Sequence, residues 1–187
     1  MAGGVDGLGS GGDGVKIMTA RRVNIEQSRI HGFIGTGINA TNTMIGDVWV
    51  KDTRVSDGGT GIRLDGTAGA VRAVLNNVEI HHFTVGLEAT HGAVVTARLS
   101  DFSLNFVGVD AVAGALVTLD SGTISFCNTG AQAIIGPGTT IRLTNMSILD
   151  NVNGLFVEPG SSIVSFNNNR FRGNTFDGTP TTTLFVK

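Results

Sequence analysis

Three features of this 187-residue chain predict an all-β solenoid, a stack of about seven short coils with a period of about 24 residues. Apolar residues recur at a nearly constant interval. Turn-forming residues recur in fixed relation to them. No coil contains a stretch of ten or more residues with helical spacing.

The main apolar series is Ile25, Val50, Leu75, Leu99, Leu119, Leu143 and Phe166, separated by 25, 25, 24, 20, 24 and 23 residues. Two residues earlier stand Val23, Val48, Ala73, Ala97, Val117, Ile141 and Val164. Five residues later stand Ile30, Val55, Ile80, Leu104, Ile124, Ile148 and Phe171. Strand side chains alternate with period two, so the first two series face the same way, and the third belongs to the next short strand. Between them, two residues after the anchor, lie Gln27, Asp52, Asn77, Asp101, Ser121, Asn145 and Asn168. These residue types bend a chain through side-chain-to-backbone bonds and tolerate left-handed backbone. A Gly-apolar pair follows, as in Gly61-Ile62, Gly86-Leu87 and Gly108-Val109, and is read as a further corner. One such coil cannot bury its own apolar face. Stacking coils at a strand spacing of about 4.8 Å buries an inner column and pairs every strand. The segment from Leu104 to Gly108 is shorter than that from Ile80 to Gly86, which predicts a tighter corner there.

Composition narrows the function classes. Hydrophobic residues make up 41% and charged residues 15%, which excludes a disordered polyelectrolyte. A formal net charge of −2 lacks the basic field of a nucleic-acid binder, so no nucleic-acid partner is expected. No apolar run approaches the roughly 18–20 residues of a membrane span. Cys127 is the lone cysteine, which excludes an intrachain disulfide and a four-cysteine zinc site; it reads as a small apolar filler near a corner. Residues 1–14 read as a flexible Gly-rich lead-in without the pattern of a secretory signal, and 15–187 as a single domain. After Pro180, Thr181–Val186 reads as a final strand. No amphipathic helix caps the N-terminal end, so self-association through the coil ends is an expected partnership.

The segment Leu143-Thr-Asn145-Met-Ser-Ile148-Leu-Asp-Asn151-Val-Asn-Gly154-Leu155-Phe-Val157 follows the pattern LxNxxIxxNxxGLxV. It resembles the right-handed parallel β-helix repeat proteins of the pectate-lyase-like superfamily. Ser165–Lys187 is similar to the ending of a group of uncharacterised bacterial β-helix proteins that are secreted. The resemblance covers about residues 15–187 and implies a right-handed helix and an extracellular location. It carries no activity with it. Lyases of that superfamily hold Ca2+ with acids beside a Lys or Arg base, and its glycoside hydrolases use clustered aspartates.

Neither constellation is evident here. Glu26, Asp52, Asp57, Glu79, Asp101, Asp120 and Asp150 form no DD or DxD motif, and Asp52 and Asp101 read as corner residues. Aligned coils place Arg29, Arg54 and Glu79 four residues after the anchor, and His31 and His81 six after it. Both positions flank an inward residue and share an outward face. Arg29, His31, Arg54 and Glu79 are therefore candidates for binding a polyanionic sugar, the arginines pairing with carboxylates. Asp57, His81 and His82 are the candidate general bases. Arg29 and Arg54 would repel as neighbours unless Glu79 or an anion compensates. No metal site is expected, because adjacent strand residues such as His81 and His82 point to opposite faces unless a corner intervenes. No cofactor is expected either, Ca2+ entering only with a lyase. Trp49 is read as an outward ring covered by another segment, and Asn167, Asn168 and Asn169 as polar outer face. Three functions fit: a non-catalytic structural or adhesive module that self-associates, a carbohydrate-active enzyme or polysaccharide binder of the polyuronate type, and an engineered scaffold. The missing acid cluster favours the first.

Overall fold

The computed structural model describes residues 3–9, 11–41 and 45–185. They form an all-β solenoid in which each strand ladder is parallel. A complete coil has three strand segments separated by corners. In the second and third coils the bends do not interrupt the ladder, so Gly46–Asp65 and Val71–Thr90 each run as one long bent strand. The fourth coil shows the three segments separately, as Val94–Arg98, Asp101–Ser103 and Val107–Val112.

Inward side chains stack into columns. Val48, Ala73, Val95, Val117, Ile141 and Ile163 form one, and Val50, Leu75, Ala97, Leu119, Leu143 and Ser165 the next. The second segment contributes Ile30, Val55, Ile80, Phe102, Ile124, Ile148 and Phe171. The third contributes Ile38, Ile62, Leu87, Val109, Ala131 and Leu155. Nearly all are buried in one continuous core. Phe102 fits because Ala97 and Ala111 in its own coil are small, which keeps the layer filled without strain.

The observed register corrects the predicted series at two coils. Ala97 and Phe102, not Leu99 and Leu104, face the core; Leu99 and Leu104 are 62% and 50% exposed. Ser165, not Phe166, continues the anchor column, with Ile163 before it. The tighter corner predicted after Leu104 is therefore absent, since Phe102 to Gly108 matches Ile80 to Gly86. The shortening lies at the third corner. Leu64 to Ala73 spans nine residues, whereas Ala89 to Val95 and Ala111 to Val117 span six.

All three corners are columns of left-handed backbone, the third through His91, Ala113 and Ile135, with φ between 49° and 60°. The first holds Gln27, Asp52, Asn77, Leu99, Ser121 and Asn145, with φ between 48° and 57°. The second holds Asp57, His82, Leu104, Phe126 and Asp150, with glycines Gly32 and Gly173 at its ends. The Gly-apolar glycines serve another purpose than the corner expected of them. A Cβ on Gly61, Gly86, Gly108 or Gly130 would meet the carbonyl oxygen of the next coil's glycine at 2.5–2.6 Å, so the coils can stack there only without side chains.

Buried amides are satisfied by a ladder just after the second corner. Cys127 N–H donates to Asn151 Oδ1 (2.9 Å), and Asn151 Nδ2 donates to the Ile124 carbonyl (3.2 Å). Asn105 and Asn174 repeat the pattern. Cys127 occupies a rung of that ladder. It is buried as expected, and burial pushes its thiol up to about 11, the nearby Asp101 adding to the shift and a hydrogen bond from the Asn105 backbone opposing it. Asn169 also turns back onto the preceding coil: it accepts from Met146 N–H and donates to the Leu143 carbonyl, each at 2.8 Å.

The ends differ. Within the Gly-rich lead-in, Gly3–Asp6 is a strand paired with Ser28–His31; directly after the lead-in, Val15–Ile17 pairs with Ile38–Ala40. Asp13 fastens this partial coil by accepting from Thr36 N–H (3.0 Å) and Asn39 Nδ2 (2.7 Å). The partial coil covers the second and third segments of the next coil, and Arg22–Glu26 pairs with the second coil along one edge. At the other end Thr182–Leu184 pairs with Val164–Phe166, the final strand predicted from sequence, whose Val186 lies outside the described residues. Trp49 stacks between Asn24 and Val74 and remains 49% exposed, so no segment among the described residues covers it.

Candidate functional site

The second segments place the candidate residues in two outward columns. One runs Arg29, Arg54, Glu79, Asp101, Thr123, Ser147 and Arg170. The other runs His31, Ser56, His81 and Ser103. Arg54 donates from Nε to Glu79 Oε2 at 2.6 Å and forms an ion pair with it, which supplies the compensation that the neighbouring Arg29 demands. Among the described residues Arg29 itself makes no ion pair. Asp101, expected in a corner, lies in the strand one register step beyond Glu79, and its buried Oδ1 finds no hydrogen-bond partner among the described residues.

These columns border a groove that crosses the coils. One depression of about 310 Å³ is lined by Gln27, Arg29, Asp52, Arg54, Asn77 and Glu79. A second, about 370 Å³, shares Arg54, Asn77 and Glu79 and adds His81, His82, Asp101 and Leu104. A third, about 410 Å³, shares Leu99 and Asp101 and reaches Thr123, Asn145, Ser147 and Arg170. The shared residues place the three in succession along one face of the coils.

The predicted base candidates gather at the groove's edge. His82 lies at a corner with φ 64°, which brings its ring to the same side as His81. The two Nδ1 atoms are 3.1 Å apart and the rings meet edge to face, contrary to the expectation that they diverge. Asp57 Oδ1 is 3.5 Å from His82 Nδ1. Burial lowers the His81 pKa, and the neighbouring His82 and Arg54 lower it further, with Asp57 and Glu79 opposing. His31 is not part of this group. It pairs with Asp6 at 3.6 Å, with Ser56 intervening before His81.

A further set of acids escaped the sequence reading. On the third segments an outward column runs Asn39, Arg63, Glu88, Asp110 and Gln132. Asp110 is 8% exposed. Burial pushes its carboxyl up to about 6; a hydrogen bond with Gln132 opposes this, while Glu88 and Glu158 reinforce it. Its Oδ1 has no hydrogen-bond partner among the described residues. At the adjoining corner, burial raises Asp65, but hydrogen bonds from Thr67 and the charge and hydrogen bond of His91 outweigh it and hold the carboxyl below its ordinary value. A sequence signal existed: each member of this column directly follows a Gly-apolar pair.

Residues 60–183 match the family model of the right handed beta helix region. The chain belongs to that family. No curated protein and no solved structure matches it. The β-helix contains no helix long and apolar enough to cross a membrane among the described residues. Nor does any group of three His, Cys, Asp or Glu side chains among them form a metal-holding cluster.

Proposed function

We propose that the protein is a non-catalytic adhesive β-helix module that binds an extended polysaccharide along the groove from Arg29 to Arg170. The observation that carries this reading is the succession of three adjoining depressions across successive coils. A linear polymer can lie across the coils and meet a polar side chain at each strand step of about 4.8 Å. The end with Arg29 and Arg54 suits a sugar carboxylate; the middle, with Asp101, Thr123 and Ser147, suits hydroxyls. The carboxyl raised by burial, Asp110, stands on a different segment and does not line the groove. The groove's grip is thus separate from that acid, which supports the binding reading.

Affinity electrophoresis through gels containing acidic or neutral polysaccharides, with and without Ca2+, tests this. The wild type is expected to be retarded by at least one polymer with no unsaturated product and no new reducing ends. The Arg54→Ala, Thr123→Ala double variant is expected to migrate freely. Product formation would make the protein a lyase or hydrolase, the polyuronate-type enzyme of the alternative reading. Free migration of the wild type in every gel would leave self-association as the function. That reading draws on the outer edge of Arg22–Glu26, and sedimentation velocity over a range of concentrations measures it directly.

A further inference from the structure

We propose that His81 and His82 form a two-imidazole chelate for a first-row divalent metal ion of the Cu2+, Ni2+ or Zn2+ class. The inference stands on the geometry of the pair and does not depend on polysaccharide binding.

His81 ends the second segment of its coil, stacked between Ser56 and Ser103. His82 follows in the left-handed corner and swings back beside it. The Nδ1···Nδ1 separation of 3.1 Å is the span of two ligand atoms on one metal. With metal–nitrogen bonds of about 2.05 Å it corresponds to an N–metal–N angle of about 100°, between the square-planar and tetrahedral values. A hydrogen bond at this distance requires that one ring carry its proton on Nδ1 and donate to the other Nδ1. Shifting that proton to Nε2 of the same ring frees both lone pairs, and no proton is released. The torsion that turns an imidazole about its Cβ–Cγ bond is broad and soft, so the two lone pairs can converge on a single point.

The surroundings favour a cation. Asp57 Oδ1 lies 3.5 Å from His82 Nδ1. Asp101 lines the same depression, and Glu79 takes up the charge of Arg54. The corner itself does not require the pair. The equivalent corner position is Leu104 in the next coil and Phe126 in the one after, and the position before it is Ser103 or Ser125. With no third His, Cys, Asp or Glu among the described residues placed as a ligand, the remaining coordination positions are left to water or to an oxygen of a molecule lying in the groove.

The test titrates CuCl2 into the full chain at neutral pH, following the visible d–d band and the nitrogen hyperfine pattern in electron paramagnetic resonance. One ion per chain with two coordinated nitrogens is expected. Residues that merely support a metal site are worth 10–100-fold in affinity, so removing a ligand in His81→Ala or His82→Ala is expected to weaken binding by about tenfold or more. His31→Ala and His91→Ala are expected to leave it unchanged. Circular dichroism of the metal-free variants establishes that they remain folded; both positions are surface sites, and His81→Ser, the residue of the adjoining coils, is a second variant should His81→Ala fail. Absence of saturable binding by the wild type, or a His81→Ala, His82→Ala double variant that binds within twofold of it, would overturn the proposal.

Discussion

Two outward columns of this β-helix carry the same three residue types in the same three coils. In the groove they are Arg54, Glu79 and Asp101; on the third segments they are Arg63, Glu88 and Asp110. Their physical states differ. The Arg54 and Glu79 side chains are 49% and 51% exposed and bonded to one another, so water screens their charge. Glu88 is 19% exposed and Asp110 is buried. Arg63 is divided between Asp65 at 3.3 Å and Glu88 at 3.8 Å, and its Nε is unpartnered among the described residues. An identical order of charges thus gives a screened ion pair in one column and a desolvated, costly carboxyl in the other. What differs is how far each column is withdrawn from water.

The sharpest way to break this comparison is Asp110→Asn. The folded-state pKa of about 6 stands roughly two units above the ordinary 3.8, equivalent to about 3 kcal/mol at 1.36 kcal/mol per unit. Above pH 6 the carboxyl is ionised in both folded and unfolded chains, and the folded state bears the cost of a buried charge. As the pH falls from about 6 toward 3.8, the folded state takes up its proton first, so the contribution of this group to stability rises and then levels off. Asp110→Asn is therefore expected to stabilise the protein by up to about 3 kcal/mol at pH 7.5 and by little at pH 4. Urea midpoints of both proteins at both pH values measure the difference. An equal gain at each pH would show that the benefit is not the removal of charge.

Arg63→Met comes next. It keeps the length of the side chain and removes the cation that Asp65 and Glu88 share. Because Arg63 is 38% exposed, screening reduces the penalty well below that of a fully buried pair, to about 1–2 kcal/mol. Glu88→Gln in the same chain is expected to recover part of the loss, since one of the two unpaired acids is then neutral. A loss in the double variant equal to that in Arg63→Met alone would place the whole cost on Asp65.

The coil count, the parallel stacking and the positions of Arg29, Arg54, Glu79 and His81 were all legible in the sequence. Each depends on a repeat with period-two alternation around it. The errors arose where an apolar residue does not face inward. Leu99 and Leu104 occupy left-handed corners, which ordinarily select Asn, Asp or Gly, and their hydrophobicity imitates an anchor two residues from the real one. The small residue in the true column, Ala97, gives little signal because Phe102 supplies the volume for its coil. The His81–His82 contact was hidden for a related reason: alternation separates neighbours, and only the φ of 64° at His82 reunites them. Asp110 is silent in the sequence because a single acid in an outward strand position reads as solvated. Its burial comes from neighbours that no local pattern reveals.

The smallest effect is also the most direct test of the exposed column. From Arg29 through Arg54 and Glu79 to Asp101 its charges run plus, plus, minus, minus. Exchanging the middle two, in Arg54→Glu with Glu79→Arg, leaves composition and net charge unchanged but makes the signs alternate. Two like-charge neighbours, Arg29–Arg54 and Glu79–Asp101, become opposite-charge neighbours. Exposed cross-strand pairs are worth about 0.2–1 kcal/mol each, so the exchanged chain is expected to be more stable by about 0.5–1 kcal/mol at low salt. The gain should fade in 1 M NaCl, where the Debye length is about 3 Å. Retention by acidic polysaccharide should fall at the same time, because the exchange separates the paired cations. A more stable protein that binds less well would show that the natural order gives up stability to keep two arginines side by side. A less stable one would mean that the Arg54–Glu79 geometry, rather than the sequence of signs, governs this face.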